Sequence, residues 1–307
     1  MEGIIVIRNI MVENANAIAG QTWGFPAISN FLGYVHALQR KLSTLTESDF
    51  SNLKLNGCGV ICHQSQVHAY QASGYSEYVF SLTRNPLTKE AKSPSFVEEG
   101  RMHMTVSLVI GIDEFPDLSE LEIQQLEQKV KSFAVTQRLA GGTITGLTSV
   151  KIKEIPDGSE KQEQQANFWL RTLLPGFALV NRTDLLVEHS KRFAESKTPQ
   201  LDAWLDAASL NFDLDNQIKT KPYSGWIKPI AIGFNAISPL YKAGEIAKCR
   251  DETTPVQFVE NIYSLGEWLS PHRIKKFEDI MWYYQTDLEK GTYLCQNNYQ
   301  SQLEQSI

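Results

Sequence analysis

The sequence predicts an α+β fold, and three observations predict it. Residues 3 to 10, Gly-Ile-Ile-Val-Ile-Arg-Asn-Ile, form a β-branched run of the length of a buried strand. Apolar residues then recur at helical spacing twice, at Phe31, Val35, Leu38 and Leu42 and at Ile123, Leu126, Val130 and Phe133. Strand-like stretches lie between and after these helices, in the order strand, helix, strand pair, strand, helix, strand. That order resembles a ferredoxin-like (RRM-like) core carrying an inserted hairpin and loop, with a partly helical C-terminal half behind it.

Each element has its own local reason. Polar loops around Asn14-Ala-Asn16 and Trp23 follow the first strand, and Pro26 and Ser29 supply start signals for the first helix. His36 and Arg40, four residues apart, share a face of that helix away from its apolar stripe. Residues 57 to 70 and 76 to 83 read as strands about a Ser73-Gly74 turn, and 102 to 110 as another strand. The intervening stretch 84 to 100, with two prolines and mixed charge, reads as a loop. Ser119 and Glu122 have capping-box spacing for the second helix, which is expected to stop at Gly141-Gly142. A short strand over 143 to 152 completes a core region spanning 1–155, with its thumb insertion near 64–100.

The second region, 156–307, is expected to be helical and irregular and to pack on the core. It begins with a polar linker over 156 to 166, followed by helical stretches around 165 to 172, 183 to 195 and 199 to 210. The Pro- and Gly-rich segment 221 to 256 reads as an irregular winding. Ile274, Phe277, Met281 and Tyr284 have the spacing of a final amphipathic helix, and the last dozen residues are a polar, mobile tail.

Composition narrows the function classes. The chain has 307 residues, 42% hydrophobic and 21% charged, which is ordinary for a globular protein. No secretory signal and no apolar run of about 20 residues is expected to direct it out of the cytoplasm or into a membrane. The four cysteines, Cys58, Cys62, Cys249 and Cys295, are too few and too irregular for a disulfide framework, as in a reduced cytoplasmic setting. A net charge of −6 argues against nonspecific grip on a long polyanion, whose affinity comes from neutralised phosphates. Nucleic acid would have to be held through a local basic surface over a short stretch, or the acidic remainder faces a protein partner.

Several constellations carry chemistry. Cys58, Cys62, His63 and His68 invite a zinc site, yet on a strand the two cysteines lie about 13 Å apart. One tetrahedral ion with thiolate bonds of about 2.3 Å cannot bridge that, so neither metal nor cofactor is expected. No Gly-x-Ser-x-Gly, His-Glu-x-x-His or Walker motif is present. Gly141 and Gly142, beside Arg138, either let RNA phosphate approach the backbone or simply end a helix. Trp23 and Phe25, held by Gly24 and Pro26, suit base stacking worth about 1–3 kcal/mol per base, or alternatively core packing. Arg84 and Arg101 can each bind a phosphate through two parallel hydrogen bonds, and Asn85 can pair with a base edge, unless Glu98 or Glu99 neutralises Arg101. Trp268 reads as a buried packing knot or a protein interface. An enzymatic alternative assembles a metal-independent endoribonuclease from His36, His103 and Tyr34.

Ten strings, in order, then resemble a known family. They are Asn14-Ala-Asn-Ala-Ile18, Thr22-Trp-Gly-Phe-Pro26, Val35-His-Ala-Leu-Gln-Arg40, Leu82-Thr-Arg-Asn-Pro-Leu87 and Val97-Glu-Glu-Gly-Arg101 in the first third. Arg138-Leu-Ala-Gly-Gly142, Leu173-Leu-Pro-Gly-Phe-Ala-Leu-Val180, Gly233-Phe-Asn-Ala236, Ser238-Pro-Leu-Tyr241 and Gly266-Glu-Trp-Leu-Ser-Pro-His-Arg273 continue the series. Together they resemble the second Csy subunit family of the type I-F CRISPR surveillance (Cascade-like) complex, in the Cas-five branch of the repeat-associated RNA-binding proteins.

The resemblance implies a noncatalytic, antiviral role in a multisubunit ribonucleoprotein complex, since guide processing there belongs to a dedicated endonuclease subunit. It implies that a ferredoxin-like core with a thumb clamps the 5′ handle of a guide crRNA. It further implies pairing with the large Csy subunit and contact with the terminal backbone subunit, and it leaves proximity to target DNA open. On the matching strings, Trp23 and Phe25 would stack on bases or shape the handle pocket. Arg40, Arg84, Arg101 and Arg138 would meet phosphates, while Asn16, Asn85 and His103 would read bases or sugars. Gly141 and Gly142 would admit the RNA backbone. The stretch 85 to 100 would be the thumb tip, and the Trp268 region would face protein.

Overall fold

In the computed structural model, residues 1–45, 50, 52–74, 76–209, 223, 225–249 and 251–299 are described. The opening apolar run is strand β1 (Gly3–Asn16). Its Ile5 and Ile7 enter one core, while Ile4 and Val6 enter another on the opposite face of the sheet. A strand covered on both faces has no polar alternate, which is why the run is unbroken. Helices α1 (Ile28–Leu42) and α2 (Glu120–Val135) fill the first core through Phe31, Leu38, Leu126 and Val130. Helix α3 (Ser159–Arg171) covers the other face through Ala166 and Leu170.

The start of α2 is as expected. Ser119 accepts from the Glu122 N–H, and the Glu122 carboxylate accepts from the Ser119 N–H. Two start-and-stop readings are corrected. Ser29 lies inside α1, whose capping residue Ala27 makes no side-chain bond, so packing rather than a polar cap sets that end. Helix α2 ends at Val135, well before Gly141-Gly142. Those glycines instead belong to a hairpin between β4 (Arg138–Leu139) and β5 (Gly142–Gly146). The expected short strand over 143 to 152 is thus two strands, β5 and β6 (Ser149–Glu154), both paired antiparallel with β1.

On the other side of β1 lies β3 (Arg101–Ile112), and beyond it β2 (Leu55–Val67), again antiparallel. Between β2 and β3 the chain forms two small hairpins, 69–71 with 78–80 and 82–84 with 96–98. The loop read over 84 to 100 therefore carries a paired strand at Phe96–Glu98.

The second half departs most from expectation. The polar stretch 156 to 166 is largely the first half of α3, not a linker. Helices α4 (Thr183–Ser190) and α5 (Pro199–Ala208) stand where helices were read. The winding expected over 221 to 256 contains β8 (Trp226–Ala236), and the final helix is replaced by a 3-10 turn at Phe277–Asp279 and strand β10 (Met281–Asp287). With β7 (Phe177–Asn181), β9 (Val259–Leu269) and β11 (Thr292–Asn297), these strands continue the sheet from β2 in the order β7-β9-β8-β11-β10. Strand β10 then pairs back onto β2 at Met281↔Gly59 and Trp282↔Cys58, closing a ring of strands. Close approach is possible there because a Cβ at Gly59 would stand 2.6 Å from Ile280. Residue 210, the start of the 221 to 256 stretch and the tail from 300 onward lie outside the described residues. Among the described residues the fold is α+β: one large antiparallel sheet with five α-helices.

Candidate nucleic-acid interface

The sheet order β5-β1-β3 sets three strand ends side by side, and a groove forms where they meet. The β4–β5 hairpin turns through Ala140 and Gly141, both left-handed at φ 50° and 74°. Two left-handed residues suit a tight two-residue hairpin turn. The Asn16 N–H donates to the Ala140 carbonyl at 2.8 Å, and the Ala17 N–H to the Gly100 carbonyl at 2.8 Å. These bonds fix the walls of a groove of about 500 Å³, lined by Asn16, Asn30, Glu98, Glu99, Arg101 and Gly141 among others.

Within it the polar groups are already partly engaged. The Asn16 amide holds the turn that follows, accepting from the Ile18 N–H at 3.2 Å and donating to its carbonyl at 2.8 Å. Arg101 donates through Nε and Nη2 to the Glu99 carboxylate, at 2.7 and 2.6 Å, with both side chains about one-third exposed. Neutralisation by a neighbouring glutamate, one of the two sequence readings of Arg101, is what the structure shows. Arg101 Nη1 lies 3.8 Å from where a Cβ on Gly141 would sit, so the guanidinium edge faces the hairpin turn. Arg138 is exposed at the lip and donates to the Gly141 carbonyl at 3.3 Å.

Trp23 borders this region. It lies on a two-residue strand paired with Ile18–Ala19, 37% exposed, with its ring 4.6 Å from Phe80 of the neighbouring hairpin. Gly100 leaves room for it, since a Cβ there would stand 2.8 Å from the indole.

With this geometry in hand, comparison with known proteins is decisive: residues 5–295 match the family described as CRISPR-associated protein (Cas_Csy2). The chain belongs to that family. A relative, the CRISPR-associated protein Csy2 of Pseudomonas aeruginosa (strain UCBPP-PA14), is 38% identical over 95% of this chain and 94% of its own length. The resemblance read from the ten strings, to the second Csy subunit of the type I-F CRISPR complex, is thereby established over nearly the whole chain.

In this Csy2-family chain three sequence-named residues, Asn16, Arg101 and Gly141, line one groove, and Arg138 bonds to the Gly141 carbonyl beside it. His103 lies just outside it, accepting from the Asn14 N–H at 3.3 Å with its ring 4.2 Å from His68. It lines a separate cavity of about 230 Å³ on the sheet face with Met11, Glu13, Gln64 and Gln66. Burial and the neighbouring His103 hold the His68 imidazole below its usual range.

Other residues go elsewhere. Phe25 is 5% exposed, its ring 5.6 Å from Phe31 and edge-on at 4.9 Å to Trp268. It is the core plug of the two readings, with no face presented for stacking. Gly24, at φ 92°, turns the chain so that the two aromatics point apart. Trp268 is likewise buried, in β9. Gly142 does not open onto a ligand: a Cβ there would meet Glu13 O at 2.7 Å and Ala15 N at 2.8 Å, so its smallness admits β1. Arg40 is exposed at the end of α1. Arg84 sits on the outer hairpin with its guanidinium 3.9 Å from the Phe96 ring centre, and Asn85 follows it, exposed.

Sequence reasoning missed Asn30 in the groove and the aromatic character of the inserted hairpins. Tyr70, Tyr78 and Phe96 are all largely exposed there. Their signal was the dense aromatic spacing of a segment read as strand and loop. The His36, His103 and Tyr34 constellation is not assembled. Tyr34 is buried, donates to the Ala134 carbonyl at 3.2 Å, and burial raises its phenol well above the usual range. His36 is exposed on α1. Among the described residues no group of three or more His, Cys, Asp or Glu is placed to hold a metal ion, and no helix is long and apolar enough to cross a membrane.

Proposed function

We propose that this chain is a noncatalytic subunit of a type I-F CRISPR surveillance complex that binds the 5′ handle of the guide crRNA. It pairs with the large subunit, lies against the terminal backbone subunit, and so caps the complex for antiviral DNA targeting. The observation that carries this reading is the convergence of Asn16, Arg101 and Gly141 on one groove, with Arg138 bonded to the Gly141 carbonyl beside it. One guanidinium for phosphate at Arg138, an Arg101–Glu99 pair and an amide for base edges or sugar, and a side-chain-free turn suit a short stretch of RNA. The groove is local and carries two carboxylates, which fits a chain of net charge −6 that holds a few nucleotides rather than a long polyanion.

The rest of the fold supports the same reading. The strand order β6-β1-β3-β2, all antiparallel, with α1 and α2 packed on one face, agrees with a ferredoxin-like core. The paired hairpins over 69–98, with exposed aromatics, agree with a thumb that contacts or kinks a nucleotide. The cysteines are unpaired, which suits the cytoplasm.

The test is co-purification with the large subunit, then binding of labelled handle RNA against a scrambled handle at two salt concentrations. Arg101→Gln and Arg138→Gln should each weaken handle binding, and Arg138→Gln should also lower the salt slope by about one ion. Unchanged affinity and slope in both variants would overturn the groove assignment. RNA length, followed in the same assay, decides a second reading. The His68–His103 ring contact, with His68 held toward its neutral form, is the arrangement here that favours a metal-independent endoribonuclease processing repeat RNA. Shortened RNA from wild-type protein, abolished by His103→Gln, would establish it.

A further inference from the structure

A second site lies away from the groove, between α4, the 3-10 turn at Lys191–Phe193, and Tyr223. His189 is buried there, with 2% of its side chain exposed, and its Nε2 lies 2.7 Å from the Asp206 carboxylate. Its ring meets Phe193 edge-on at 5.5 Å and Tyr223 at 5.7 Å. With Nε2 engaged, Nδ1 is buried and has no hydrogen-bond partner, and neither does the buried hydroxyl of Tyr223. Buried polar groups are nearly always satisfied, so two orphans beside one another call for a ligand. Both residues line a cavity of about 320 Å³, completed by Leu185, Glu188, Lys191 and Arg192. Lys191 is ion-paired with Glu188, while Arg192 is exposed at the rim.

We infer that this cavity binds a phosphomonoester group. With Nε2 donating to Asp206, Nδ1 is left to be satisfied from the cavity, by a P–OH if it is bare and by a P–O⁻ if it carries a proton. The Tyr223 hydroxyl and the Arg192 guanidinium offer donors, which P–O⁻ oxygens satisfy. A monoester presents three non-bridging oxygens, partly protonated near pH 6 and bare above it, enough to meet Nδ1, the Tyr223 hydroxyl and Arg192 together. An internal phosphodiester presents only two non-bridging oxygens, one too few for the three groups. The source is a free nucleotide monophosphate or the terminal phosphate of an oligonucleotide, and about 320 Å³ admits the phosphate with part of its nucleoside. This site is independent of the proposed RNA groove.

The test is calorimetric titration of the full chain with inorganic phosphate, adenosine monophosphate, and a dinucleotide with and without a 5′-phosphate. Binding of the monoesters and not of the unphosphorylated dinucleotide is expected. Preference between the mononucleotide and the 5′-phosphorylated dinucleotide identifies the source. His189→Gln keeps a donor toward Asp206 and removes Nδ1, and Tyr223→Phe removes only the hydroxyl. Each should weaken monoester binding about tenfold, the loss of one good hydrogen bond. Handle-RNA affinity should be unchanged in both. No monoester binding by wild type, equal binding of the unphosphorylated dinucleotide, or wild-type affinity in Tyr223→Phe would overturn the site. Tyr223→Phe decides alone if His189→Gln does not fold.

Discussion

Gly142→Ala separates a packing role from a ligand role for the glycine pair at the β4–β5 hairpin. The added methyl carbon would stand 2.7 Å from Glu13 O, 2.7 Å from Val12 Cγ1 and 2.8 Å from Ala15 N. Relaxed carbon contacts need about 3.5–4.0 Å. Two of the three obstacles are backbone atoms of β1, whose ladder with β5 pairs Val12↔Ile144 and Glu13↔Thr143. A side chain could rotate away, but this backbone is fixed on both sides by strand pairing. The cost therefore belongs at the upper end of the overpacking range, about 2–3 kcal/mol. In a chain of this size that lowers the melting temperature by roughly 3–5 °C. Gly141→Ala is the control. Its φ of 74° charges a side chain about 1 kcal/mol, while the nearest atom, Arg101 Nη1, is a comfortable 3.8 Å away on the groove side. Scanning calorimetry and handle-RNA titration on both variants should cross over. Gly142→Ala loses more stability than affinity, and Gly141→Ala the reverse. A Gly142→Ala protein that melts like wild type yet loses RNA would refute the packing argument.

Two buried ionisable groups give further tests. Burial pushes the Lys228 amine down from 10.5 to about 8, against a smaller opposing pull from Cys62. The unfolded chain thus binds more protons between those values, so stability should rise as pH increases from about 8 to 10.5. The full swing is on the order of 3 kcal/mol. Lys228→Met should flatten that rise in denaturant-unfolding curves and stabilise the chain at neutral pH, whereas an unchanged pH profile would show that Lys228 does not carry it. Glu267→Gln would leave Arg182, whose side chain is 7% exposed, with Asp184 as its remaining ion-pair partner. Breaking a buried pair costs about 3–5 kcal/mol, and because Asp184 persists the loss in urea unfolding should sit near the lower figure.

Elements with a local cause were legible and elements with a tertiary cause were not. The capping box at Ser119 and Glu122 and the apolar stripes of α1 and α2 are written within a few residues of sequence. Strand β8 was obscured by Pro229 and its flanking glycines. Proline is tolerated there because β8 pairs with β11 only over Gly233–Asn235, which leaves the outer side of Pro229 an edge. Ile274, Phe277 and Met281 have helical spacing, yet they are apolar because they fill the second core from a turn and a strand. Periodicity cannot distinguish the two origins when a segment bends between elements.

The groove poses the same question at the level of a site. Residues 14–16, 98–101 and 138–141 are far apart in sequence, and sheet order alone makes them neighbours. A sequence can nominate the arginine and the asparagine, but it cannot show that Glu99 already holds Arg101. That ion pair bears on how the groove would choose its ligand. A phosphate reaching Arg101 must compete with a carboxylate at 2.6 Å and then lie beside it, so charge alone gives the groove little net attraction. Groups that donate hydrogen bonds to Glu99 while accepting from Arg101 gain from both partners at once. Base edges and ribose hydroxyls do this and a bare phosphate does not. A short, sequence-bearing RNA segment therefore suits this groove better than a generic polyanion, on the strength of one ion pair.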